Sequence, residues 1–253
     1  MKTISMVLIR HGESTFNQKN LFCGWHDAEL SENGIRDASK ISSAALMEHK
    51  MAFDVAYTSA LKRAQDTLKI ILKEIGCPDL PTKCDWRLNE RHYGNLIGFN
   101  KRQMADKYGE EQVQIWRRSF DVLPPPITSD NPYYECIRSN PSFRDIPPEQ
   151  FPLSESLKTT MGRVIPYWEQ EILPQIHAGK RVLIVAHGTI ARALAKHIEN
   201  ISDENIKSVN IPNSIPCVYE FDLEKKNLVG KIKYLADENF LNKQMEKTAS
   251  IGN

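Results

Sequence analysis

Two segments of this 253-residue chain run into the same dipeptide. Residues 8–14 read LIRHGES and residues 182–189 read VLIVAHGT, so a branched, apolar stretch enters His-Gly each time. A lone histidine after a strand is ordinarily a satisfied structural group. Two matched ones, the first preceded by Arg10, call for a chemical explanation. Neither His11 nor His187 has the neighbours of a zinc site, which needs three protein ligands in a pattern such as HExxH. A fixed guanidinium would also repel a dication. Cations accumulate on the remaining loops, at Arg63, Arg91, Lys101, Arg117 and Arg118. Guanidinium groups match the geometry of phosphate and carboxylate. The pattern therefore reads as a phosphate-handling site with a histidine nucleophile and no metal. A neutral imidazole attacks phosphorus in line while its second nitrogen is held by a hydrogen bond that fixes the tautomer. Charge on the equatorial oxygens would be met by Arg10, Arg63 and His187. A carboxyl group must then carry the proton of the leaving or attacking hydroxyl, and Glu90 and Glu13 are the candidates. Plainer readings stay open here: Glu90 as a surface partner of Arg91 or Arg87, Arg117 and Arg118 as an exposed helix face, and Cys23 as a packed thiol.

These residues need elements to hold them. Residues 4–10, 53–58 and 181–186 read as buried strands, and the alternating run 217–222 as a further one. Helical spacing covers residues 60–75, with Ser59 as N-cap and Gly76 as stop, and also residues 157–172 and 188–198. Strands alternating with helices predict an α/β fold: one three-layer domain with a mainly parallel sheet and helices on both faces. If the strands before His11 and His187 are parallel neighbours, both imidazoles share one crevice at the carboxyl ends. Gly12 and Gly188 would then let the backbone approach a ligand closely. Residues 121–156, with LPPP, NPYY, NPS and IPP, form a Pro-rich insertion that is either a cover over the site or a surface excursion.

Lys and Arg number 33 against 32 Asp and Glu, so no net field draws the chain to nucleic acid or an anionic membrane. With 41% hydrophobic residues the chain can bury a substantial core. Its five cysteines are widely spaced and form no CxxC pair, which fits a reducing compartment. No run approaches the ~18 apolar residues of a membrane span, and the start is too short for a signal-peptide core. A soluble, cytoplasmic protein is expected.

The sequence resembles the phosphoglycerate mutase branch of the histidine phosphatase superfamily over nearly its whole length. LIRHGES carries the RHG signature, and LFCGWHDAELSENG (21–34), YTSALKRAQDT (57–67), WRLNERHYGNLIG (86–98) and EEQVQIWRRSFDVLPPP (110–126) are similar to the mutase blocks. The resemblance implies that His11 is the phosphorylated nucleophile, Glu90 the proton donor and acceptor, and His187 the transition-state stabiliser. It further implies that Arg10, Asn17, Cys23, Gly24, Arg63, Arg91, His92, Tyr93, Lys101, Arg117, Arg118 and Gly188 line the phosphate and carboxylate sites. Also implied are priming by 2,3-bisphosphoglycerate, interconversion of 3- and 2-phosphoglycerate without metal, and a homodimer or tetramer. Two departures stand out. Thr189, within HGTIAR, replaces an asparagine of the family, and the tail (about 240–253) is less lysine-rich than usual. Ser14 and Gly24 match the mutases, whereas Cys23 is similar to the bisphosphoglycerate synthases. A phosphatase of the same superfamily, a synthase, and a non-catalytic phosphate binder are the competing functions.

Overall fold

The computed structural model describes residues 2–250; residues 251–253 of the expected tail lie outside it. Six strands form one sheet: β1 (Thr3–Arg10), β2 (Val55–Thr58), β3 (Thr82–Cys84), β4 (Val182–Ala186), β5 (Cys217–Asp222) and β6 (Asn227–Tyr234). Their order is β3-β2-β4-β1-β5-β6. The pairs β3–β2, β2–β4 and β4–β1 are parallel, whereas β1–β5 and β5–β6 are antiparallel. Covered on both faces, central strands need no polar alternation, and β4 is accordingly buried throughout.

Six helices matter for the site: α1 (Lys62–Glu74), α2 (Lys101–Tyr108), α3 (Glu110–Arg118), α4 (Leu157–Tyr167), α5 (Gly188–Ile198) and α6 (Glu238–Ala249). Alternate residues of β1 serve the two faces. Met6 and Leu8 pack with Val164 and Tyr167 of α4 and with Ile190 and Leu194 of α5. Val7 and Ile9 pack with Leu68, Ile71 and Leu72 of α1 on the other side. That is the three-layer arrangement expected from the pattern.

Local differences from expectation have identifiable causes. The first long helix starts at Lys62, not residue 60, and Leu61 is an N-cap without a side-chain bond. Ser59 is drawn away because its hydroxyl bonds His187. The expected helix 157–172 is α4 followed by a π-helical stretch, Trp168–Ile172, just beyond Pro166. The short β3 and the edge strand β6 lack the apolar run that marks a central strand. The Pro-rich insertion is not a loose excursion. Its Ile127, Ile137, Phe143 and Ile146 form a cluster with Trp25 and Ile97, against the loops that carry the site.

Candidate active site

Parallel pairing of β1 with β4 sets Arg10 opposite Ala186, and the His11 amide donates to the Ala186 carbonyl at 2.9 Å. The two histidines leave the sheet side by side, with ring centroids 5.0 Å apart. Both lie outside the carboxyl ends of parallel strands, where ligands of open α/β sheets bind. The glycines that follow also let parts of the protein approach each other closely. A Cβ on Gly12 would lie 2.4 Å from the Gly34 carbonyl oxygen, and one on Gly188 would press on the Arg10 guanidinium at 3.3 Å.

Hydrogen bonds fix the tautomer of His11. Its Nδ1–H donates to the Gly12 carbonyl at 2.6 Å, while Arg63 Nε donates to Nε2 at 3.3 Å. Nε2 is thus the lone-pair nitrogen. Burial first, then the positive charges of Arg63 and Arg10, push the His11 pKa well below its ordinary value, so the ring is neutral and nucleophilic. Arg63 is itself pinned by the carbonyls of Gly24 and His26, at 2.8 and 3.0 Å. His187 is held through its Nε2. Ser59 Oγ, which accepts from the Leu61 amide, is hydrogen-bonded to His187 Nε2 at 2.7 Å. Its Nδ1 has no protein partner. Burial, followed by Arg63, depresses this pKa as well.

Glu90 presents its carboxylate to the start of α5, where unpaired amides favour negative charge. Its Oε1 accepts from the amides of Arg91 at 2.8 Å and Thr189 at 3.2 Å. Glu13 lies elsewhere: its carboxylate accepts from Ser31 Oγ and Asn33 Nδ2 and pairs with Lys247 on α6. Of the two proton-shuttle candidates, only Glu90 reaches the cavity wall.

The cavity in front of His11 is lined by Arg10, Asn17, Cys23, Gly24, Arg63, Glu90, Tyr93, Lys101, Arg117, Arg118, Gly188 and Thr189, all of them marked by the sequence. His187 stands behind, reaching the cavity through its ring contact with His11. Arg91 and His92 do not reach the wall. Arg91 is buried and spends its Nη2 on the Arg117 carbonyl at 2.6 Å and on Tyr93 Oη at 3.3 Å. His92 turns inward against Trp25, and its Nδ1 accepts from the Gly94 amide at 3.0 Å. Residues that sequence reasoning missed also contribute. Arg192 lines the cavity, together with Leu21, Phe22, Ile211 and Thr248. From α6 the carbonyls of Thr248 and Ser250 accept from Arg118 at 2.8 Å and Arg117 at 3.1 Å, so this helix lies across the mouth. Arg192 had one available signal, its place one turn beyond the second His-Gly on the same helix.

Arg10, Arg63, Lys101, Arg117, Arg118 and Arg192 face a single carboxylate, Glu90, in this wall. Burial, then Arg117 and Arg10, push Lys101 down to about 7. Burial, then Arg117 and Arg192, push Arg118 down to about 9, which still leaves it charged at neutral pH. So much like charge in one buried place suits a compact polyanion. Among the described residues no group of three His, Cys, Asp or Glu could hold a metal ion, and no helix is long and apolar enough to cross a membrane.

Residues 6–232 match the model of the histidine phosphatase superfamily (branch 1). The chain is 47% identical over 247 residues, 98% of both chains, to a 2,3-bisphosphoglycerate-dependent phosphoglycerate mutase of Borreliella afzelii (strain PKo). Among solved structures it is similar to a phosphoglycerate mutase from Bacillus anthracis, with TM-score 0.63, 18% identity, and coverage of 99% of this chain and 97% of that one. It is also similar to a mycobacterial glucosyl-3-phosphoglycerate phosphatase complexed with VO3, with TM-score 0.64, 21% identity, and coverage of 91% and 96%. At such identities the structural likeness establishes the fold alone.

Proposed function

The chain belongs to branch 1 of the histidine phosphatase superfamily, and from that premise we propose that it is a 2,3-bisphosphoglycerate-dependent phosphoglycerate mutase. It interconverts 3- and 2-phosphoglycerate through a phosphohistidine at His11. The carrying observation is His11 on the cavity wall, its Nε2 lone pair accepting from Arg63, with the His187 ring 5.0 Å away and Glu90 in the same wall.

Each residue then has a physical task. His11 supplies the attacking nitrogen, and its bond to Gly12 holds the orientation. Arg10, Arg63 and His187 meet the charge of the phosphoryl oxygens, so guanidinium groups fill the role a metal ion would otherwise take. Glu90 gives a proton to the departing substrate oxygen and recovers it from the next hydroxyl. Lys101, Arg117 and Arg118 face the remaining phosphate or carboxylate, with Asn17, Tyr93, Gly188 and Thr189 shaping the same wall. The residues fit 2,3-bisphosphoglycerate, because two buried guanidinium atoms of the wall residues, Arg10 Nε and Arg192 Nε, have no protein partner. When bound, that cofactor supplies the phosphoryl group that primes His11. Helix α6 across the mouth and cations on several sides favour keeping the bisphosphorylated species over releasing it to water, which is why mutase is preferred to phosphatase. The proposal includes a cytoplasmic location, supported by five free cysteines, and the homodimer or tetramer implied by the resemblance.

Formation of 2-phosphoglycerate from 3-phosphoglycerate, measured with and without 2,3-bisphosphoglycerate, tests the reaction. The expected result is strong stimulation, with an acid-labile label on His11 that is absent from His11→Ala. Rapid release of inorganic phosphate without isomerisation would make the chain a phosphatase. A label on any other residue would refute the nucleophile.

A further inference from the structure

Glu90 stands in an irregular stretch, residues 89–93, with no helix or strand to hold it. Backbone groups in such a stretch need other partners, and one buried ion pair supplies some of them. Arg163, on α4, donates from Nη1 to the Arg87 carbonyl at 2.8 Å and from Nη2 to the Glu90 carbonyl at 3.1 Å. The same guanidinium holds Glu155 through Nε at 2.7 Å and Nη2 at 2.8 Å. Glu155 in turn accepts from the His92 amide at 2.8 Å, and its own amide donates to the His92 carbonyl at 2.8 Å. Trp25 completes the arrangement, with Nε1 on the Glu90 carbonyl at 2.6 Å and its ring 5.6 Å from the Arg163 guanidinium. The two charged side chains are only 9% and 5% exposed, and neither lines the cavity.

We propose that Arg163, locked by Glu155, is a positioning residue for the reaction: it grips the backbone at Arg87 and at Glu90 itself while Glu155 holds His92 beyond, and so fixes the carboxylate for proton transfer. This rests on the proton-shuttle reading of Glu90 given above. It also gives the Pro-rich insertion a function from behind the site. Glu155 is near the insertion's end, and the Asn95 amide donates to the Pro125 carbonyl at 2.8 Å near its beginning. Both ends of the insertion thus bond the chain just after Glu90, at His92 and Asn95. A Lys at position 163 would keep the charge but lose the rigid fork that engages two carbonyls and a carboxylate together. Misplacement of a catalytic group by about 1 Å can cost on the order of a hundredfold in rate.

The test is a double-mutant cycle with kcat and KM measured separately. Arg163→Met and Arg163→Lys are made in the wild-type and Glu90→Gln backgrounds. Glu155→Gln/Arg163→Met is added because it removes both buried charges and avoids leaving one unpaired. Thermal melts establish that each variant is folded. In the wild-type background, kcat is expected to fall by roughly thirtyfold or more for Arg163→Met and for the double variant, with KM within about threefold. Arg163→Lys should recover only part of that loss. In Glu90→Gln the same changes should cost less than about threefold, because the group being positioned has gone. Losses that multiply in the two backgrounds would overturn the proposal, as would a KM rise at unchanged kcat or a fully active Arg163→Lys. Wild-type turnover by Glu90→Gln itself would instead refute the shuttle reading, so the two failures are distinguishable.

Discussion

Among the cations of the cavity, Lys101 is the one whose charge changes near neutral pH. Burial, then Arg117 and Arg10, hold it at about 7, while an anion in the cavity would favour its charged form and raise that value. Binding therefore takes up a proton, and affinity falls as pH rises through and above about 7. The KM for 3-phosphoglycerate should climb between pH 7 and 9, approaching tenfold per unit at most, and Lys101→Met should flatten the profile. A pH-independent KM in the wild type would contradict this. Thr189 is a second residue-scale case. It is buried, and the bond to Glu90 comes from its backbone amide, which any residue supplies. Thr189→Asn keeps that amide and restores the family's side chain. Turnover should stay within about tenfold of wild type, or ~1.4 kcal/mol. A collapse of kcat in a folded variant would show that the threonine is locally required.

At the scale of elements, α3 ends in Arg117 and Arg118, which the cavity uses as cations. Its last carbonyls lack intrahelical partners and are met by buried guanidinium groups. Arg91 donates to the Arg117 carbonyl, and Arg192 donates to those of Arg118 at 3.0 Å and Ile206 at 2.9 Å. Cations at a helix C-terminus also complement its dipole. Arg192 consequently ties α5, which begins beside His187, to the helix that presents the anion-binding pair. Arg192→Met should loosen that end. We expect KM for 3-phosphoglycerate to rise by roughly tenfold or more with a smaller change in kcat, since Arg117 and Arg118 bind and do not transfer. A fall in kcat at constant KM would place Arg192 in the chemistry instead.

Over the whole molecule, three histidines share a burden. His11, His92 and His187 are buried and held neutral, with His92 pushed down to about 3 by burial, then by Arg163 and Arg138. Their unfolded pKa is near 6.5, so below that pH the unfolded chain binds more protons than the folded one. Stability is then lost as pH falls from about 6.5 towards the folded values, by up to ~1.4 kcal/mol per unit for each histidine. Denaturant midpoints should drop steadily from pH 7 to 4.5. His92→Asn, outside the cavity, should reduce the slope by about one histidine's share. An unchanged slope in that variant would mean that His92 is not among the groups responsible.

The central strands and the α5 helix at residues 188–198 were legible in the sequence because they depend on local patterns, whereas Asn17, Cys23, Gly24 and Tyr93 of the cavity wall were marked only by the family resemblance. A strand covered on both faces must be apolar throughout, and a histidine at its carboxyl end then faces the ligand crevice. Phosphate binding likewise leaves a trace in composition, since it needs several arginines. Other assignments required the tertiary structure. By residue type alone Glu13 and Glu90 are equal candidates as shuttles; in the fold the amides of Arg91 and of Thr189 at the start of α5 hold Glu90, while Ser31 and Asn33 take Glu13 aside. Ser59 reads as a helix cap by its spacing, yet the approach of β4 sets His187 beside it and claims its hydroxyl. Arg91 and Arg163 belong to the same residue type as the ligand-facing arginines, but their partners are backbone carbonyls and acidic or phenolic side chains, and Arg192 combines a place in the wall with bonds to distant carbonyls. Residue type and local period determine what an element is and what its end can do. Which cation meets the substrate and which one holds the backbone in place depends on contacts between segments far apart in the chain, and no local pattern encodes those.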